Sequence, residues 1–493
     1  MTPIDTSPLL PRSPFDKLRA GSALLPSAFS LQPSGELVAF VGGGGKTSLM
    51  FALARALAGR GQRVVITTTT RIFAAQIKLA PAVCFFTTED AADTEAERLG
   101  QHLARYGTCL VVGEVQGDKA LGLPADLPAR LLARPDVDHL LVEADGSRMR
   151  PVKAPAEHEP VIPVGTTLLV PVVGIDALDG SIQDVAHRPE LVARLLNSEQ
   201  WTVNSEQWFL RRLRTGSGQW AVTDRLSVQA VACLLAHPQG GLKYAPDGAR
   251  VVPFINKVES DSQLAAARQI AGHVLHAPPI TQVVIGAARS ERPVREVHKR
   301  VTAVVLAAGE SKRMGQQTKQ LLPWGETTVL GQTLRNLKQT AIHDILVVSG
   351  HEAEAVEAIA AAEEVSAIRN PQYATGEMLS SLQTAVRRLS PNRAAVLVML
   401  ADQPMVEPAT IDRLLAAYWQ GRGELIAPVY EGRRGNPVLI GRPYFDKLAA
   451  LPPGAAPRDL LIRYQAELHL VAVDTDSILR DLDRPQDYER WRP

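Results

Sequence analysis

The sequence predicts an α/β protein made of two doubly wound domains, each built on a mainly parallel sheet. Three observations carry that expectation. At 493 residues the chain exceeds what one ordinary core fills. Short apolar, β-branched runs alternate with helical stretches, the rhythm of βαβ units. That rhythm stops at a polar, basic segment broken by Pro293, SERPVREVHKR (290–300), and then starts again.

Residues 1–33 place an acid near the start and prolines where a secretion signal needs an unbroken apolar stretch, which predicts a disordered or extended tail. The first domain is expected over 34–289. Its strands read at 36–41, 64–68, 109–112 and 139–142, with a helix over 49–58 and further strands at 250–255 and 281–285. Within it NSEQW occurs twice, seven residues apart, too short a repeat for a coiled coil or solenoid. Residues 197–220 therefore read as a surface insertion between two helices, with no chemistry of its own. Residues 290–300 read as a linker. The second domain, 301–493, is expected to place strands at 303–306, 344–348, 395–400, 425–429 and 468–473.

Hydrophobic residues make up 45% of the chain and charged residues 21%, with a net charge of +1, so nothing draws it as a whole toward nucleic acid or membrane. No apolar run reaches the ~18–20 residues that span a bilayer. Cys84, Cys109 and Cys233 have neither disulfide-framework nor metal-ligand spacing and read as reduced thiols. A cytoplasmic protein is expected, without nucleic-acid or membrane partners.

LVAFVGGGGKTSLM (37–50) sets a strand before four glycines and an amphipathic helix after them. The loop matches GxxxxGK[ST] only at Gly45, Lys46 and Thr47, because Phe40 stands where the first glycine belongs. Its chemistry still suits phosphate: Gly43, Gly44 and Gly45 let the backbone curl, Lys46 can reach outer phosphates, and Thr47 or Ser48 can meet Mg²⁺. The first domain is on this reading P-loop-like; a glycine turn with an exposed lysine is the plainer alternative. Residues 138–163 contain a strand ending in Glu143 and Asp145, a Walker-B-like placement of carboxylates. Asn256-Lys257-Val258-Glu259 is similar to the base-reading NKxD turn, with Glu259 in place of the aspartate. With the threonines 67–70 before Arg71, KAPAEHEPVIP and His187-Arg188-Pro189-Glu190, these segments resemble the YqeC family, accessory proteins of selenium-dependent molybdenum hydroxylases, over about 35–289. The resemblance implies a molybdenum hydroxylase apoenzyme as partner and names no reaction for this half. His158 and His187 read as substrate or ion contacts or as structural histidines.

VVLAAGESKRMGQQTKQLLP (304–323) is a strand opening into a glycine turn, followed by two spaced cations, Arg313 and Lys319. Backbone N–H groups at such a turn suit a phosphate chain, and the cations can neutralise charge on a phosphorus under attack. Asp402 lies just beyond the strand 395–400, at the carboxyl end where open α/β sheets bind ligands. Asp483 lies in an acidic turn that can fold back to share an ion. Mg²⁺ prefers one or two carboxylates and several waters to an all-protein cage. A helix N-cap is the plainer role for Asp402, and a surface position for Lys319.

Leu306-Ala307-Ala308-Gly309 with Arg313 and Lys319, Asn370-Pro371-Gln372-Tyr373 leading to Gly376 and Ser380-Ser381, LADQP around Asp402, RRGNPV (433–438) and DLDRPQD (481–487) resemble the MobA-like nucleotidyltransferases. Within them the likeness is to the molybdenum cofactor cytidylyltransferases, from about 301 onward. The resemblance implies a Rossmann-like nucleotidyltransferase fold. It gives nucleotide contacts to Leu306, Ala307, Ala308, Gly309, Gly376 and Ser381, catalytic roles to Arg313 and Lys319, and Mg²⁺ to Asp402 and Asp483. The implied reaction transfers CMP from CTP to a molybdopterin-type cofactor, giving the cytosine dinucleotide and pyrophosphate. Ala307-Ala308-Gly309 favours CTP, since guanylyltransferase relatives carry a glycine pair after the first alanine. Asn436 stands where relatives commonly carry histidine, and PGAAPRD (453–459), with Arg458, replaces a GDxGAR-like loop. Those departures bear on the acceptor; the alternative readings are GTP as donor, a sugar or polyol phosphate as acceptor, or a nucleotide-dependent cofactor carrier without chemistry of its own. The whole reads as a fusion that matures the molybdenum cofactor.

Overall fold

A computed structural model describes residues 24–86, 92–197, 225–315 and 317–493. The repeat insertion expected at 197–220 lies, apart from Asn197, outside them. The chain divides into two compact units, residues 1–295 and 296–493.

In the first unit, successive neighbours across the sheet are Gln282–Gly286, Phe254–Asn256, Leu168–Gly174, Glu36–Gly42, His139–Glu143, Val64–Thr68, Thr108–Val112 and Val83–Phe85, all parallel. Their residues are almost all buried, as expected where helices cover both faces. From the central strand Glu36–Gly42 the chain moves to one side for Val64–Thr68 and later to the other for Leu168–Gly174. The strand's carboxyl end is thus the crevice where strand order reverses, the place such sheets bind ligands. The glycine loop begins there.

Leu168–Gly174 is a strand not among those expected, and its Pro171 is unusual at a central position. The structure tolerates it through register. Leu169 faces Val251 and Val172 faces Phe254, so the Pro171 position coincides with Pro253, where the neighbouring strand is itself interrupted between Arg250–Val251 and Phe254–Asn256. The single strand expected at 250–255 is for the same reason two.

The tail expected over 1–33 is corrected at its end. Leu25–Ala28 forms a short helix, and Leu25 and Phe29 are fully buried. Gln282 Nε2 donates to Ala28 O (2.9 Å) and Arg250 to Ser30 O (2.7 Å). Apolar residues at i and i+4 in LLPSAFS let this segment cap the sheet despite its proline, which sits at the start of the helix where its missing N–H costs nothing. The linker expected at 290–300 contains the strand Val294–Lys299, and the division between the units falls within it.

The second unit has a mixed sheet. Ser366–Arg369, Asp344–Ser349, Val301–Leu306 and Ala395–Leu400 are parallel neighbours. Val438–Gly441 then pairs antiparallel with Ala395–Leu400 and with Leu425–Tyr430, which also pairs parallel with Leu468–Ala472 and antiparallel with the short Arg433–Arg434. Two apolar clusters, one around Val305, Leu334 and Leu397 and the other around Val304, Leu382 and Val396, pack the alternating faces of these strands. The switch point falls at Val301–Leu306, whose carboxyl end opens into the Ala307–Gly309 turn. No helix among the described residues is long and apolar enough to cross a membrane.

Candidate nucleotide sites at the carboxyl ends of the two sheets

In the first unit the loop after Glu36–Gly42 leads into helix Lys46–Ala58. Gly42, Gly44 and Gly45 have φ of +92°, +71° and +105°, the left-handed region that favours glycine. The turn is held tightly: Gly43 N donates to Val172 O (2.9 Å) and Gly44 N to Arg150 O (3.0 Å). Those two amides therefore face protein carbonyls rather than an open cradle. The adjoining first turn of the helix, from Lys46 to Ser48, carries the amides best placed for an anion.

Lys46 is 2% exposed, so its charge needs partners. Its Nζ donates to Gly42 O (2.5 Å) and lies 3.2 Å from Asp145 and 3.6 Å from Glu143. Burial alone would push the ammonium down, but Asp145 and Glu143 outweigh it and hold Lys46 above the ordinary lysine range. Thr47 Oγ1 donates to Glu143 Oε2 (2.8 Å), and Asp145 Oδ2 accepts from Gly42 N (3.0 Å). The expected lysine, threonine and carboxylates are thus brought together. Asp145 also meets Lys153 (3.2 Å), which pairs with Glu159 (2.6 Å), which in turn is paired with Arg188. This second half of the network sits in the KAPAEHEP and HRPE segments, whose spacing showed no geometry.

Asn256 joins the site as a clamp, its Nδ2 donating to Gly44 O (2.7 Å). Lys257 is turned to Asp176 (2.7 Å) instead of the loop. His158 is exposed; His187 is pushed down to about 4, first by burial and then by Arg188, Lys153 and Arg148.

In the second unit Leu306 ends its strand and Ala307 N donates to Val348 O (3.0 Å). Ala308 O accepts from His351 N (3.1 Å), while Gly309 has open space where a side chain would stand. Gln320, buried and unanticipated by the motif reading, braces the turn: its Nε2 donates to Ala307 O (3.1 Å) and Gly309 O (3.3 Å). Ser311, at φ +53°, accepts from Lys319 N (3.0 Å) and so sets where that lysine leaves the backbone.

Lys319 reaches two carboxylates. It is hydrogen-bonded to Asp402 and lies 3.1 Å from Asp483, whose other oxygen accepts from Arg313 (2.8 Å). Burial would lower Lys319, but the carboxylates, Asp402 first, raise it above the ordinary range. Burial would raise Asp483, yet the hydrogen bond from Lys319 and the charge of Arg313 hold it below the ordinary carboxylate range. The other acids of the turn have separate tasks. Asp481 accepts from Gln403 (2.5 Å) and is raised by burial and by Asp402, and Asp487 accepts from Arg484 N (2.9 Å) at a helix start. Asn370 Nδ2 donates to Ser380 (2.8 Å) and Ser381 (3.0 Å), tying the end of one strand to helix Tyr373–Arg388, on which Gly376 also lies. Asn436 N donates to Ile478 O (3.1 Å), and Arg458 is exposed on helix Pro457–Arg463.

Comparison with known proteins follows this division. The family profile described as YqeC protein matches residues 38–190, and that of the MobA-like NTP transferase domain matches 303–468. The Uncharacterized protein YqeC of Escherichia coli (strain K12) is 33% identical over 221 residues, 45% of this chain and 75% of that protein. The chain belongs to the YqeC family. Beyond the YqeC part, the second unit is a MobA-like NTP transferase domain, a nucleotidyltransferase. The Molybdenum cofactor cytidylyltransferase of the same organism is 29% identical, covering 38% of this chain and 93% of that protein. Nicotine blue oxidoreductase of Paenarthrobacter nicotinovorans is also 29% identical, covering 37% of this YqeC-family chain and 92% of its own.

Among the described residues of this YqeC-family chain no group of three or more His, Cys, Asp or Glu could hold a metal ion. Asp402 and Asp483, converging on one ammonium, are a set of the kind Mg²⁺ uses when a nucleotide's phosphates and water complete its shell.

Proposed function

We propose that the second unit transfers CMP from CTP to the terminal phosphate of a molybdopterin-type cofactor, giving the cytosine dinucleotide and pyrophosphate. The observation that carries this reading is the cluster of Lys319, Asp402, Asp483 and Arg313 beside the Ala307–Gly309 turn. In the reaction an oxygen of the acceptor phosphate attacks the α-phosphorus, and the bond to the bridging oxygen of pyrophosphate breaks. Arg313 and Lys319 would neutralise charge on the triphosphate, and the turn would hold the nucleotide. Asp402 and Asp483 would hold Mg²⁺, which when bound polarises the phosphoryl oxygens. The choice of CTP and of this acceptor is supported by the Ala307-Ala308-Gly309 turn and by the cytidylyltransferase relative. An oxidoreductase relative has the same 29% identity. The charged cluster favours nucleotidyl transfer, because hydride transfer gives these four charged groups no task.

For the first unit we propose a P-loop-like site for a Mg²⁺–nucleotide, serving a molybdenum hydroxylase apoenzyme that receives the finished cofactor. We place the protein in the cytoplasm, and its net charge of +1 is in keeping with the lack of nucleic acid or membrane partners. With CTP, GTP, ATP or UTP and molybdopterin, the full chain is expected to release pyrophosphate with CTP. Asp402→Ala and Lys319→Ala should each lower that rate roughly 100- to 1,000-fold, the loss typical of removing a charge-stabilising group. Release with GTP alone would replace the nucleotide assignment. Unchanged cofactor maturation in cells carrying Asp402→Ala would favour a carrier.

A further inference from the structure

Asn256 joins two loops that lie far apart in sequence. Its Nδ2 donates to Gly44 O (2.7 Å), and its Oδ1 accepts from Ala288 N (2.9 Å). The residue after Ala288 is thereby pinned beside the glycine loop. Arg289 uses that position to reach the first turn of helix Lys46–Ala58, where its Nε donates to Ser48 Oγ (3.0 Å). Its side chain is exposed and, among the described residues, forms no ion pair. The two lysines of this region differ: Lys46 is neutralised by Glu143 and Asp145, and Lys153 by Asp145 and Glu159. Arg289 therefore brings to the helix start a positive charge that no carboxylate compensates.

We propose that Arg289 binds the outer phosphate of a nucleoside triphosphate held at the first unit's glycine loop. The proposal rests on reading Gly43–Ser48 as a nucleotide loop. A guanidinium held through Nε still presents both Nη groups, the edge that meets a phosphate with two parallel hydrogen bonds. The helix start favours an anion at the same point. Lys46 can turn to phosphate only by leaving its carboxylates, whereas Arg289 gives up no ion pair to do so. Asn256 is then a positioning residue, acting through Gly44 and Ala288 without touching the ligand.

The test uses the full chain with Mg²⁺ and ATP, GTP, ADP or GDP, with affinities from calorimetry for the native protein, Lys46→Ala, Arg289→Ala and Arg289→Lys. Binding that Lys46→Ala removes belongs to this site. Arg289→Ala is expected to weaken triphosphate binding at the site about tenfold and diphosphate binding less than about threefold, with Arg289→Lys between. Melting temperatures should match, since the side chain is exposed. Native triphosphate affinity in Arg289→Ala, with binding lost in Lys46→Ala, overturns this inference alone. Equal losses for di- and triphosphates overturn the outer-phosphate contact. ATP and GTP binding indifferent to Lys46→Ala overturns the nucleotide-loop reading together with it.

Discussion

Gly44 shows how closely single positions constrain the first site. It sits at φ +71°, and a Cβ built there would lie 2.0 Å from Gly174 N and 2.4 Å from Val173 C, both backbone atoms that cannot swing aside. Gly44→Ala therefore combines left-handed strain of ~1–2 kcal/mol with overpacking of ~1–3 kcal/mol. Denaturant unfolding of the first unit should register a loss of about 2–4 kcal/mol. Gly146→Ala, with open space and an ordinary φ, serves as the control and should change little. A Gly44 variant as stable as the control would mean the loop relaxes freely. Lys46, Lys319, Asp402 and Asp483 were legible in the sequence because each lies in a motif whose chemistry needs that residue type. Gln320 and Arg289 were not, since an amide beside a known lysine and an arginine closing a domain carry no pattern. Their tasks exist only once Gln320 reaches back to Ala307 and Arg289 is set against Ser48. The NKVE turn misled in a different way, because it showed where Asn256 lies but not that its amide is taken up by the loops on either side.

At the scale of elements, the two-stranded pairing of Val152–Lys153 with Ala186–His187 turns a row of charges into a pH-sensitive unit. His187 is held at about 4, well below the 6.5 of an unperturbed histidine. As pH falls below 6.5 the unfolded chain takes up this proton first, so stability of the first unit should decline between pH 6.5 and 4. Glu159 acts lower down. Burial would raise it, but Arg188 and Lys153 hold it at about 2 against an ordinary 4.5. Its stabilisation is complete above 4.5 and is lost as pH drops toward 2. Thermal melts at pH 7, 5.5 and 4.5 should show a shallower decline for His187→Gln than for the native chain. Parallel slopes would assign the decline to other groups. Most strands were legible from alternation and β-branching, with the bounds of 64–68 and 395–400 unchanged. Among those missed were Val83–Phe85 and Ser366–Arg369, edge strands of three and four residues, Leu168–Gly174, disguised by its proline, Val294–Lys299, within the expected linker, and Val438–Gly441, which runs against its neighbours.

At the scale of the whole molecule, each unit has its own sheet and its own apolar core, and each candidate site lies at its own sheet's switch point. The two sites draw on separate sets of residues and, among the described residues, share no partner, so changes at one and at the other are expected to add. Lys46→Ala should leave pyrophosphate release by the second unit within about twofold of native, and Asp402→Ala should leave ATP or GTP affinity at the first unit equally unaffected. Calorimetry and a pyrophosphate assay on the same preparations check both halves. A large cross-effect would show that the two chemistries are energetically linked. The two-domain plan could be read from the restart of the strand–helix rhythm. The place of division could not be read so finely, because a polar segment expected to be a linker contains a strand.

Lys319 has a consequence for how the second site fills. With its ammonium between Asp402 and Asp483, the chain supplies the counter-ion to its own acidic pair. Were Asp402 and Asp483 to hold Mg²⁺ as proposed, the fold would not leave an acidic pair unbalanced when the ion departs. A divalent ion arriving alone must compete with a tethered cation. One arriving on a triphosphate brings negative oxygens that give the displaced lysine somewhere to go. On the function proposed above, the site would favour a metal–nucleotide complex over the metal ion alone, and filling the site and freeing the lysine would be a single exchange of partners.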